Sequence, residues 1–213
     1  MTPHHFDERY DERARLEDGT LVHLRLIGPE DKALIAEGFA RLSPESRYRR
    51  FFAAKRQLTP AELRYFTEFD GTNHLAIGAV HVRADGSEEG LGVARFVRLP
   101  DEPNVAEAAV VVVDDYQNRG LGHLLLLRLV AAARERGVMR FRATTLADNP
   151  AARALMEDLG AAPNHSNNDD TLSVDVALPE ASAAAGEMAP SSGLYRLFRA
   201  VARGITEVIQ THG

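Results

Sequence analysis

Cysteine and tryptophan are absent from this 213-residue chain, lysine occurs only at Lys32 and Lys55, and no apolar run nears the ~20 residues that cross a bilayer. Each absence removes a class of protein. Without cysteine the fold cannot rest on disulfides or thiolate-bound zinc, and acyl or redox chemistry has no thiol nucleophile. The missing apolar run excludes a membrane-spanning helix, and the N-terminal stretch MTPHHFDERYDERARLEDG is charged where an export signal needs an apolar middle. Cytoplasmic residence is the expectation. A net charge of −6 argues against broad nucleic-acid binding, which depends on neutralising many phosphates. Scarce lysine beside plentiful arginine reads as genomic base composition.

What is present, 45% hydrophobic and 26% charged residues, suffices for one substantial core. Residues 1–18 read as a polar extension that frays or docks late. A first strand runs from Leu21 to Ile27, and Pro29-Glu30-Asp31 opens a helix with Leu34, Ile35, Phe39 and Leu42 at helical spacing. Two short helices follow. Ser43 precedes Pro44 as an N-cap, and Thr59 and Glu62 stand at capping-box spacing around Pro60. From His74 the period becomes extended: HLAIGAVHVR, LGVARFVR and VAEAAVVVV form an antiparallel meander. A helix from Gly120 to Gly137, a strand to Leu146, a helix ending at Gly160 and the strand TLSVDVAL complete a mixed α/β domain over 19–178. Residues 179–193, rich in Ala, Ser, Pro and Glu, read as a linker, and 194–213 as an amphipathic helix suited to core docking or a dimer contact.

The stretch DDYQNRGLG joins the valine-rich strand to the Gly120 helix. A turn that becomes a helix N-terminus leaves backbone N–H groups without partners at the positive end of the helix dipole, so it suits an anion. Gly120 and Gly122 carry no Cβ to hold a ligand away, and Arg119 brings a full charge. Two familiar phosphate motifs fail here. Leu125 stands where a dinucleotide fingerprint needs a third small residue, and the chain contains no Gly-Lys-Ser/Thr triplet. Histidines at 4, 5, 74, 81, 123 and 165 show no metal-ligand spacing, and no metal is expected.

Gln117-Asn118-Arg119-Gly120-Leu121-Gly122 resembles the pyrophosphate loop of the GNAT superfamily of acyl-CoA-dependent N-acyltransferases, and the order of elements from Leu21 to about Leu178 is similar to that fold. More narrowly, SPESRYRRFF, LGVARFVR, AEAAVVVVDDYQNRGLG and LADNPAARALMEDLG resemble the catalytic domain of bacterial Pat-type protein-lysine acetyltransferases. The resemblance implies a mostly antiparallel sheet with helices on both faces, and acetyl-CoA as donor. It assigns the diphosphate to Gln117, Asn118, Arg119, Gly120, Leu121 and Gly122, and the pantetheine arm to backbone groups of Val111, Val112 and Val113 and to Asn149. It makes Glu107 the general base, with Glu102 in reserve and the Val113 amide as oxyanion donor. Met156 stands where many relatives carry a tyrosine as general acid, and Ala161 where an aromatic is usual.

Several readings stay open at this level. The acceptor is a protein lysine, for example on an acyl-CoA synthetase, or a small amine; a non-catalytic acyl-CoA sensor is the third reading. Tyr48 with Arg47, Arg49 and Arg50 lines the acceptor entrance or simply solvates a helix. The C-terminal helix is a candidate homodimer contact.

Overall fold

The computed structural model describes residues 6–51, 55–146 and 171–179. Among the described residues, seven strands form one sheet in sequence order: β1 (Asp11–Arg15), β2 (Leu21–Leu26), β3 (His74–Val82), β4 (Glu88–Leu99), β5 (Glu102–Val112), β6 (Arg140–Leu146) and β7 (Thr171–Ala177). Every neighbouring pair is antiparallel except β5 with β6. Helices α1 (Lys32–Ala40), α2 (Pro44–Phe51) and α3 (Pro60–Thr67) connect β2 to β3, and α4 (Leu121–Glu135) connects β5 to β6. A parallel pair cannot be joined by a tight turn, so the β5–β6 connection carries a helix.

Local chemistry fixes the helix ends. The Ser46 N–H donates to Ser43 Oγ at 3.1 Å before α2. At α3, Glu62 N–H donates to Thr59 Oγ1 at 3.2 Å while Thr59 N–H donates to Glu62 Oε2 at 2.8 Å, a reciprocal capping box. Helix α4 stops where Gly137 turns to φ 76°, with Val138 N–H reaching Ala133 O and Gly137 N–H reaching Arg134 O, each at 3.0 Å.

Both faces of the sheet are covered. Leu121, Leu125, Leu126 and Leu129 of α4 pack with Ala94, Phe96, Ala106 and Ala108 on one face. On the other, α1, α3 and flanking turns stand over Gly78, Val93, Arg95, Ala109 and Val111. The mixed sheet agrees with the sequence reading; the helix expected to end at Gly160, the linker and the C-terminal helix lie outside the described residues.

The N-terminal segment departs from its polar reading, because it supplies β1. Its alternating charges conceal three core residues, Phe6, Tyr10 and Leu16, exposed by 2%, 6% and 6%. Glu12 locks the strand onto α4, accepting from Arg128 Nε at 2.7 Å, from Arg128 Nη2 at 2.6 Å and from the Tyr10 hydroxyl at 2.8 Å.

Candidate active site

Strands β5 and β6 run side by side only briefly. Pairing covers Val105 to Glu107 against Arg140 to Arg142, after which β5 continues to Val112 and β6 to Leu146 with no ladder between them. This is a fork. Glu107 stands at its root, buried on β5, across from Val97 on β4 and from Arg142 on β6.

Backbone alternation decides what the fork offers. Val113 N–H donates to Leu91 O at 2.9 Å, so odd-numbered residues at the end of β5 face β4 and the N–H and C=O groups of Val110 and Val112 face the fork. The expectation that the Val113 amide serves an oxyanion is corrected accordingly: its proton already has an acceptor. Val111 likewise faces β4, and its side chain lines the cleft described below. Of the three valines, Val112 presents backbone to the opening, and its carbonyl accepts from Gln117 Nε2 at 3.2 Å.

Beyond β5 a short 3-10 turn, Asp114–Tyr116, leads into the glycine-rich loop. Gln117 N–H donates to Asp114 O at 3.2 Å, so this residue braces the turn with main chain and side chain and does not offer an open amide. Asn118 and Gly120 then adopt left-handed backbone conformations, φ 58° and 83°, which fold the chain sharply into α4. Gly120 caps α4 with no side-chain hydrogen bond. Among the described residues, no acceptor takes the amides of Arg119, Gly120, Leu121 or Gly122. These four sit together at the positive end of a 15-residue helix, the arrangement that holds phosphate oxygens.

Arg119 is placed differently from its sequence reading. Its Nη1 donates to Asp18 at 3.0 Å and its guanidinium lies 4.9 Å from the centre of the Tyr116 ring. Its charge is thus shared with the β1–β2 turn, whose Glu17 carboxylate also reaches the loop: a Cβ on Gly120 would stand 3.7 Å from it. Asp18 is held below the usual carboxylate range mainly by bonds from Thr20, with Arg119 adding to the effect.

Next to this loop, Asp114 accepts from Ser43 N–H at 2.8 Å, Ser43 Oγ at 3.2 Å and Ser46 Oγ at 2.9 Å. The turn that begins the anion loop therefore also anchors the N-terminus of α2. Sequence reasoning missed this tie, since the partners lie 71 and 68 positions apart.

Between the sheet and α1–α3 lies an open cleft, lined by Leu34, Phe39, Leu42, Phe66, Val93, Ala109, Val111 and Val113 among others. Among the described residues of its wall, Arg95 is the charged one, 4% exposed, with the Tyr65 and Phe66 rings 5.0 and 4.5 Å from its guanidinium carbon. An arginine inside the apolar stretch VARFV was the available signal for it. Nearby, burial and then the Arg95 charge press His74 down to about 4, so the imidazole is neutral at physiological pH.

Glu102, the reserve base, accepts from Arg142 Nη1 at 2.7 Å and Nη2 at 3.1 Å, and Arg142 also grips Asp175 at 2.7 and 2.9 Å. A carboxylate clamped by a guanidinium is a strut, not a proton acceptor. Asn149, Met156 and Ala161 lie outside the described residues, as do the side chains of Tyr48, Arg49 and Arg50. Arg47 donates through Nε to Leu42 O at 2.9 Å and stands 5.3 Å over the Phe39 ring, which makes it part of the cleft's support.

Comparison with known proteins adds three relatives and a family. Residues 34–161 match the model of the acetyltransferase (GNAT) family. The chain is 38% identical over 144 residues to the acetyltransferase Pat of Mycolicibacterium smegmatis, covering 67% of this chain and 42% of that one, so it spans less than half the relative's length. It is 31% identical over 156 residues to the acetyltransferase PA5475 of Pseudomonas aeruginosa, covering 73% and 83%. The crystal structure of the GNAT domain of S. lividans PAT superposes with a TM-score of 0.67 at 27% identity, covering 82% of this chain and all of that domain.

Proposed function

The chain belongs to the acetyltransferase (GNAT) family, which draws its acyl group from acetyl-CoA, and on that premise we propose that it acetylates a lysine side chain of a protein, with Glu107 as general base. The observation that carries this reading is the β5–β6 fork, with a buried carboxylate at its root and open helix-terminal amides past its tip. From Glu107 to Val113 an extended strand covers roughly 20 Å, a length that an extended pantetheine arm matches. Diphosphate on the amides of Arg119 to Gly122 leaves the thioester beside Glu107, with the arm laid along the Val112 backbone as an added strand.

The chemistry follows from what each group can do. A lysine ammonium, with a pKa near ~10.4, must lose a proton before it attacks, and Glu107 accepts that proton directly or through a water. The amine nitrogen bonds to the acyl carbon while the carbon–sulfur bond breaks, the nitrogen gives up its surplus proton to solvent to become the amide, and the departing thiolate takes one up from solvent. An amide of the fork, at Val110 or Val112, suits the oxyanion that forms on the way. The apolar wall of the cleft accommodates the methylene stem of a lysine, whose charged head alone needs polar company.

The acceptor class is tested by thiol release from acetyl-CoA with acyl-CoA synthetases set against a panel of small amines. Turnover with the protein acceptors is expected; turnover with small amines alone overturns the protein-lysine reading, and no turnover with any acceptor favours a sensor of acyl-CoA. Glu107→Gln is expected to bind acetyl-CoA as the parent chain does while lowering kcat by about 10²–10⁴-fold. An undiminished kcat removes Glu107 from the mechanism.

A further inference from the structure

We propose that Arg95 is a positioning residue for the transfer step, a fixed buried cation that holds Glu107 in its ionised, proton-accepting form. This rests on Glu107 being the base. Burial works against such a base, because a carboxylate with little access to water prefers to be protonated. Something in the wall of the cleft has to offset that preference at neutral pH.

The sheet register identifies what does. Arg95 pairs with Ala76 on β3 and with Ala109 on β5, while Val97 pairs with His74 and Glu107. Since side chains alternate along a strand, Arg95, His74 and Glu107 all share one face, and Arg95 is the diagonal neighbour of both others, reaching each from a Cβ separation of ~7 Å. His74 on one flank already registers the cation, which adds to burial in pressing its titration down. Glu107 occupies the mirror-related place on the other flank. The guanidinium has little freedom to leave, being flanked by Tyr65 and Phe66 of α3.

Among the described residues, three further ionisable groups stand near Glu107. Arg142 faces it from β6 but divides its guanidinium between Glu102 and Asp175. His74 is neutral, and Tyr65 is the titratable group that α3 brings to this face. Among the described residues, Arg95 is the cation in the wall of the cleft itself.

The test reads the carboxylate directly and needs no acceptor. In chain labelled with [δ-¹³C]glutamate, the Glu107 resonance is identified by its loss in Glu107→Gln, and His74 is followed by its ring protons. Arg95→Met is expected to raise the Glu107 midpoint by about one pH unit or more, and to raise that of His74, whereas Arg95→Lys leaves both near the parent values. A His74 midpoint that rises while that of Glu107 stays put overturns the proposal, and so does an Arg95→Lys shift as large as that of Arg95→Met. If Arg95→Met does not fold, Arg95→Gln, also neutral, is read by the same criterion. Thiol release by Glu107→Gln judges the base separately: a working base with an unmoved midpoint sinks only the role of Arg95.

Discussion

Gly120 enters α4 at φ 83°, and a methyl group there would meet Glu17 at an ordinary 3.7 Å. Space is therefore not what the position demands; the backbone conformation is. Gly120→Ala is expected to cost about 1–2 kcal/mol, lowering the melting temperature by roughly 2–8 °C. His74 makes a second prediction at this scale. Its folded pKa of about 4 lies below the ordinary 6.5, so the unfolded chain binds the extra proton between those values. Stability is complete above pH 6.5 and falls as pH drops toward 4. Asp70 extends the loss: despite burial, the amides of His74, Thr72 and Asn73 hold its carboxyl to about 2, so its contribution disappears between 3.8 and 2. Replacing His74 with phenylalanine is expected to flatten the pH dependence of the melting temperature between 6.5 and 4 and to leave the lower window in place. The glycine pair could be picked out from the sequence because a Gly-x-Gly before a leucine stripe is a local signal, whereas Glu107 was named through the family resemblance, since a carboxylate near a strand start is by itself more often solvated. Arg95 and Asp114 were not picked out, since their partners come from other strands and helices.

Among the elements, helix ends were the most legible, because caps are chemistry between residues three positions apart: Ser43 with Ser46 and Thr59 with Glu62 both form as the spacing indicates. Strand β1 was the least legible. DERAR alternates charge with charge, and its place in the sheet depends on Glu12 meeting Arg128 of a helix 116 residues on. Phe6, which precedes the strand, has its carbonyl held by Arg136 at 2.6 Å and its ring 4.6 Å from that of Tyr10. Phe6→Ala is expected to cost about 3 kcal/mol, or roughly 6–12 °C in thermal melting; a loss below a degree contradicts the docking of this arm.

At the scale of the whole molecule, a fork between β5 and β6 makes cofactor binding and stability one question. On the proposed assignment acetyl-CoA engages loop, strand and helix terminus of the folded chain alone, so at a hundredfold excess over Kd it is expected to add about 2.7 kcal/mol, seen as a rise of roughly 5–11 °C in melting temperature. No rise at that concentration contradicts the assignment of the loop.

The sequence by itself determined the described elements from β2 onward, their order, the glycine-rich turn into α4 and the family, because period, capping and glycine placement act over a few residues. Only the tertiary structure decided which amides stay open, which carboxylate is buried at the root of the fork and which is clamped by an arginine, and where the buried cation stands. Those outcomes depend on strand register and on partners distant in the chain, and a shift of one residue in register would send Glu107 and Arg95 to the opposite face.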